Sequence, residues 1–213
     1  MRRPTTFVGD LHGRADVHRL LMLSNRSTFQ LGDCGYSYGY LNGHDAELHK
    51  VLLGNHENYR VLRGLRPGNI LPDYGTTFDG AVGFVRGAWS IDKAARTPGV
   101  DWFAEEELSY AELNAAADVL ADAKPPIMAS HDCPASVFAD LKRGEDPGPF
   151  GAVQRRTRTG EALDEVLRRC KPTVWLFGHH HLTKVFTVGG TVFVALGVLC
   201  SLTLDLDDPL RSL

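Results

Sequence analysis

The four cysteines, at positions 34, 133, 170 and 200, form no C-x-x-C pair. No disulfide framework is suggested, and free thiols in a reducing compartment are expected. The N-terminal MRRPTTFVGD carries two arginines but no apolar core of a leader peptide, and the longest apolar stretch, 192–204, is broken by Gly197 and Ser201. Neither export nor membrane insertion is expected, which points to a cytoplasmic protein. There is no excess of positive charge: 23 Lys plus Arg stand against 26 Asp plus Glu, with an isoelectric point near 6.3. That balance argues against bulk affinity for nucleic acid while leaving a small phosphate-bearing substrate possible. Internal repeats, low-complexity tracts and linkers are also lacking, so residues 1–213 are expected to form a single domain.

What the chain has instead is one pattern used five times. FVGD (7–10), FQLGD (29–33), VLLGN (51–55), IMASH (127–131) and WLFGH (175–179) are short apolar runs that each stop at a side chain able to bind metal. Each run reads as a buried strand, and strands of a parallel sheet deliver their C-terminal ends to one edge. A single cluster of oxygen and nitrogen ligands follows. Helices are expected over 15–23, 58–65, 109–123 with Ser109 as N-cap, and 160–169. Between 70 and 104 the helical period disappears, and TTFDGAVGFVRGAWSID predicts strands of a second, more antiparallel sheet. FTVGGTVFV places Gly189-Gly190 at a two-residue hairpin turn, and CSLTLDL adds a further strand. The expected fold is α/β, with two mixed sheets flanked by helices. The Gly-, Pro- and Arg-rich segment 143–159 reads as a loop.

The polar endings fall in a definite order: Asp10 and His12 in GDLHG, Asp33 in LGDCG, Asn55 and His56 in LLGNHE, His131 in SHDCP, and His179 and His181 in FGHHH. In this order the chain resembles the calcineurin-like metallophosphoesterase superfamily from residue 9 to residue 181. The resemblance implies a four-layer α/β/β/α sandwich with a metal site at strand C-terminal ends. It implies that Asp10, His12, Asp33 and His181 hold one ion, that Asp33, Asn55, His131 and His179 hold a second, and that Asp33 bridges. His180 would point elsewhere. It further implies attack by a metal-bridging hydroxide, with His56 as general acid and transition-state stabiliser. Imidazole, carboxylate and amide oxygen without thiolate suit Mn²⁺, Fe, Zn²⁺ or Ni²⁺ better than Mg²⁺. Mn²⁺ is the expected cofactor because the family commonly works with it.

Two departures from the family pattern bear on substrate. Protein phosphatases of the superfamily carry GD-x-x-D-R-G and R-G-N-H-E, whereas here Cys34-Gly35-Tyr36-Ser37-Tyr38 follow Asp33 and Leu53 precedes GNHE. Both family arginines are absent, and Tyr36 replaces the aspartate that orients the general acid; Glu57 or Asp132 could substitute for it. Two divalent ions bring about +4, two aspartates remove about 2 and a bridging hydroxide about 1, leaving roughly +1, which a diester monoanion balances. A monoester dianion needs added cations such as bidentate arginines. The expected activity is therefore hydrolysis of small or nucleotide-like phosphodiesters, including cyclic nucleotides. The alternatives are a phosphomonoesterase or protein phosphatase of the same superfamily, a non-catalytic scaffold, and a nuclease or nucleic-acid-binding module.

Substrate contacts are expected from Lys93 or Arg96, and from Tyr36 if the alternating Tyr36, Tyr38 and Tyr40 offer a stacking face rather than packing. Arg155, Arg156 and Arg158 read either as a phosphate-binding cluster or as a solvated loop. Cys34 and Cys133, each close to an implied ligand, read as packing residues, with oxidation sensitivity the alternative.

Overall fold

The computed structural model describes residues 3–35, 37–145 and 156–213. In chain order the strands are β1 (Pro4–Val8), β2 (Thr28–Gln30), β3 (His49–Val51), β4 (Tyr74–Thr77), β5 (Val82–Val85), β6 (Ile127–Ser130), β7 (Val174–Phe177), β8 (Lys184–Val188), β9 (Thr191–Ala195) and β10 (Ser201–Asp205). The helices are α1 (Ala15–Ser24), α2 (Tyr59–Leu62), α3 (Tyr110–Ala123), α4 (Phe138–Lys142) and α5 (Arg158–Cys170).

Two sheets result. One has the order β10-β1-β2-β3 and the other β4-β5-β6-β7-β9-β8. Within the first, β1, β2 and β3 run parallel and β10 pairs antiparallel with β1. Within the second, β5, β6, β7 and β9 are parallel, with β4 and β8 as antiparallel edges. The five apolar runs are thus divided three and two between facing sheets and do not share one. CSLTLDL, expected in the more antiparallel sheet, is β10 and pairs instead with β1, because its alternating leucines match the face that β1 buries.

Period-two alternation sorts side chains between layers. Phe7, Phe29, Val82, Phe84, Ile127, Ala129, Val174 and Leu176 meet between the sheets. Trp175, Phe177 and Met128 point the other way, onto Leu113, Leu120, Leu163 and Val166 of α3 and α5. Val8, Val51 and Leu53 face Met22 of α1 and Tyr59 and Leu62 of α2. The stack is α/β/β/α. It is tight at β5, where a Cβ on Gly83 would collide with Pro125, Met128 and Leu120.

Local chemistry accounts for most boundaries. Ser109 caps α3 through a reciprocal box in which Glu112 accepts from the Ser109 amide at 2.7 Å. Gly189 and Gly190 take φ of 59° and 91°, the two-residue turn that joins β8 to β9. Two expectations are corrected. α2 is a single turn, although Asn58 caps it by accepting from Val61 N at 3.1 Å, since Gly64 and Pro67 follow at once. α5 begins at Arg158, inside the segment read as loop, with Thr157 as its N-cap; residues 146–155 of that segment lie outside the described residues. Among the described residues, no helix is long and apolar enough to cross a membrane.

Candidate metal centre

The turns that follow β1, β2, β3, β6 and β7 are laced together across both sheets. His179 N donates to Asp10 Oδ1 at 3.0 Å, His131 Nδ1 to the Leu31 carbonyl at 2.8 Å, and His56 N to Asp33 Oδ1 at 2.8 Å. The amides of Leu11 and His12 both donate to the Asp33 carbonyl. Glycines make the approach possible: a Cβ on Gly32 would strike the His131 ring, one on Gly54 the Asp33 carboxylate, and one on Gly178 the Asp10 carboxylate. Four of the implied ligands, His12, Asp33, His179 and His181, have φ between 44° and 62°. Non-glycine residues in that left-handed region are strained, and such strain concentrates at functional sites.

The structure brings together three of the four residues of the first implied group, Asp10, His12 and His181. His12 Nε2 and His181 Nε2 lie 3.0 Å apart, and Asp10 Oδ2 is 3.8 Å from the former and 3.3 Å from the latter. Donor atoms bound tetrahedrally about 2.1 Å from one ion sit about 3.4 Å apart, so these three already have ligand spacing. Asp10 is fully buried whereas His12 and His181 are exposed. The Asp10 carboxylate, 3.3 Å away, raises the His181 pKa against the opposing effect of partial burial.

The second group is drier. His131 Nε2 lies 3.0 Å from Asn55 Oδ1 and 3.1 Å from Asp33 Oδ1, and the His179 ring packs 5.1 Å from that of His131. Because His131 Nδ1 donates to Leu31, its Nε2 is the atom offered to the site. Burial disfavours charge on both His131 and Asp33, but their mutual attraction wins, raising the imidazole and lowering the carboxyl. Desolvation, with His180 and His131 nearby, depresses His179.

Two observations test the fit to a pair of cations. Asp10 Oδ2 and Asp33 Oδ2 are buried without a hydrogen bond, and burying an unpaired carboxylate oxygen is costly unless a cation or donor meets it. The donor set is also free of thiolate. Cys34 Sγ turns to the Tyr40 hydroxyl at 2.7 Å and Cys133 Sγ to His180 at 3.3 Å. Burial pushes both thiols up, which makes them unreactive packing residues. The residues fit.

His56 stands beside this cluster, its ring 5.5 Å from that of His12, and burial lowers its pKa. Neither residue suggested to orient it does so. Glu57 accepts instead from Cys34 N at 2.8 Å, Gly35 N and Gly54 N at 3.3 Å and Tyr38 Oη at 2.7 Å, fastening the Asp33 turn to the Asn55 turn. Burial and the Asp33 charge push it up to about 7. Asp132 accepts from His180 Nε2 at 3.0 Å and from Cys133 N at 2.8 Å, so His180 does point away from the centre.

The substrate contacts fare differently. Tyr36 lies outside the described residues. Tyr38 is buried on Glu57, and Tyr40 hydrogen-bonds Cys34 and, at 2.8 Å, His18, so neither presents a stacking face. Arg96 is committed to Glu106, 3.2 Å away, and to Ser90 at 2.7 Å. Lys93 Nζ sits 4.2 Å over the Trp102 ring and lines a cavity of about 150 Å³ with Trp89, Ser90 and Phe103. Arg155 lies outside the described residues, while Arg156 and Arg158 face Glu161 and Glu107 at 3.7 and 3.8 Å.

No family profile matches the sequence, and no curated protein sequence matches it. Solved structures do match in fold. One aligns over 97% of this chain and 96% of its own with a TM-score of 0.60 at 13% identity. A proposed 5′-nucleotidase of Staphylococcus aureus, crystallised with α-ketoglutarate, aligns over 98% of this chain at TM-score 0.52 and 14% identity; this chain spans 52% of its length. GAP50, the anchor in the inner membrane complex of Plasmodium, aligns over 92% of this chain and 71% of its own at TM-score 0.50 and 12% identity. At these identities the likeness is one of fold alone, and it agrees with the expected two mixed sheets flanked by helices.

Proposed function

We propose that this chain is a dinuclear metal-dependent phosphoesterase acting on phosphodiesters, small or nucleotide-like, with cyclic nucleotides as candidates. The observation that carries the reading is the pair of buried, unbonded carboxylate oxygens, Asp10 Oδ2 and Asp33 Oδ2, each on a carboxylate that an imidazole approaches from the opposite sheet. In this reading Asp10, His12 and His181 form the outer pole, Asn55, His131 and His179 the inner pole, and Asp33 serves both. Two divalent ions there, Mn²⁺ by preference, would neutralise phosphoryl oxygens and lower the pKa of the attacking water.

The chain's own groups supply the rest. Asp10 and Asp33 limit the positive charge. Glu57 holds the two central turns in register, and Gly54 leaves room for the Asp33 carboxylate. His56, whose pKa is lowered by burial, would serve as an N–H donor to a phosphoryl or leaving-group oxygen. Diester preference is supported by the engagement of Arg96, which is held by Glu106 at 3.2 Å and Ser90 at 2.7 Å and so is not free to meet a second phosphate charge.

The test is Mn²⁺-dependent hydrolysis of bis-p-nitrophenyl phosphate, p-nitrophenyl phosphate and a panel of 2′,3′- and 3′,5′-cyclic nucleotides, with Asp33→Ala as blank. Faster diester hydrolysis is expected. Faster monoester hydrolysis would replace the diester reading with the phosphomonoesterase one, and no metal-dependent hydrolysis above the blank would favour a scaffold role.

A further inference from the structure

The inner pole depends on an asparagine, and an asparagine amide can be turned either way. Presented one way it offers a metal an oxygen; turned by half a rotation it offers an NH₂ group, which a cation rejects. Three buried groups behind Asn55 settle this choice. Asn55 Nδ2 donates to Ser90 Oγ at 2.9 Å, which leaves Asn55 Oδ1 facing His131 Nε2 at 3.0 Å. Ser90 Oγ has one proton, and that proton goes to Glu106 Oε2. Its lone pairs are then left to accept, from Asn55 and from Arg96 Nη1 at 2.7 Å. Glu106 is fixed in turn by the Phe103 amide at 3.0 Å and by Arg96 at 3.2 Å. Asn55, Ser90 and Glu106 are 1%, 2% and 2% exposed, so all three side chains are held inside the protein.

Resting on the dinuclear reading, we propose that Ser90 is a positioning residue for the inner metal pole, with Glu106 and Arg96 fixing the direction of its hydroxyl so that Asn55 presents oxygen to the ion. Ser90 touches neither of the other inner histidines and none of the outer-pole residues by hydrogen bond; its effect on metal passes through Asn55. Without the Ser90 acceptor, the Asn55 amide loses the bond that distinguishes its two faces. Residues that hold metal ligands in place commonly change affinity by 10- to 100-fold when removed. The outer pole, built from Asp10, His12 and His181 on other turns, is independent of this chain of bonds.

The experiment is a calorimetric titration of metal-stripped protein with Mn²⁺ alone, comparing wild type with Ser90→Ala and with the near-isosteric pair Ser90→Thr and Ser90→Val. The cavity beside Ser90 gives the added methyl groups room. Wild type should bind two ions. Ser90→Ala and Ser90→Val should bind one as wild type does and the other about 10- to 100-fold more weakly, while Ser90→Thr should restore both. Two ions bound to Ser90→Val with wild-type affinities would overturn the role of Ser90 and leave the dinuclear site standing. A wild-type protein that binds fewer than two ions would overturn the dinuclear reading and this inference with it. If Ser90→Ala fails to fold, the Thr and Val pair carries the comparison, since only the hydroxyl separates them.

Discussion

The two poles of the centre each pair two imidazoles with a carboxylate, the inner adding the Asn55 amide, yet they lie in contrasting surroundings. At the inner pole Asp33, Asn55 and His131 are at most 1% exposed and His179 is half-buried, and the side-chain N and O atoms of the first three, Asp33 Oδ2 apart, have hydrogen-bond partners. At the outer pole the His181 and His12 side chains are 52% and 32% exposed, and only Asp10 is buried. The inner ligands come with a support: Ser90 behind Asn55, Leu31 behind His131. The outer histidines have little behind them except each other and Asp10. A preorganised, dry pole binds an ion strongly and releases it slowly, whereas an open one exchanges its ion and can meet substrate. On the proposed function, this contrast would give the outer pole to substrate entry and the inner pole to structure.

Asp33 belongs to both poles, so Asp33→Ala should erase the contrast altogether. It is expected to lose both ions and more than about 10⁴-fold of activity, read by metal analysis and diester hydrolysis. His56→Ala should leave both ions bound and lower turnover by about 10²- to 10⁴-fold, most for poor leaving groups. Unchanged turnover would remove His56 from the chemistry.

A sharper comparison sets His131→Ala against His181→Ala in the metal-free protein. Removing His131 strands the buried Asp33 charge and should cost about 3 kcal/mol, seen as a lowered midpoint in urea. Removing the exposed His181 should barely move the midpoint while weakening one ion. Equal losses would show that the poles are not distinct.

The smallest effect concerns pH. The folded His131 pKa is raised and that of Asp33 lowered by their attraction, so the stability this pair gives the metal-free protein is fully present between about pH 4 and 6.5 and is lost as pH rises through the raised His131 value. A metal must displace that proton. Inner-pole affinity should therefore keep rising above pH 7, by up to about tenfold per unit, whereas an ordinary histidine would already have levelled off. A plateau at pH 7 would show that His131 is not protonated there.

Much of the centre was legible because its order in the chain is its chemistry: five strands end at Asp10, Asp33, Asn55, His131 and His179, and the ends meet. The hairpin at Gly189-Gly190 and the cap at Ser109 were legible too, since each is decided within a few residues. The division of strands between two sheets was not, because an apolar run buried on both faces looks the same in either. The positioning groups were hidden for another reason. Ser90 and Glu106 lie 35 and 51 positions from Asn55, and nothing in their neighbours reveals a partner so distant. Arg96 was read as a substrate contact because a sequence shows a cation but not the buried carboxylate that neutralises it.

The most direct measurement is anomalous diffraction from crystals of the metal-loaded protein grown in Mn²⁺. The account expects two peaks about 3.5–4 Å apart, both touching Asp33, with His181 on the outer peak and His179 and Asn55 Oδ1 on the inner one. A single peak, or both histidines on the same ion, would contradict it.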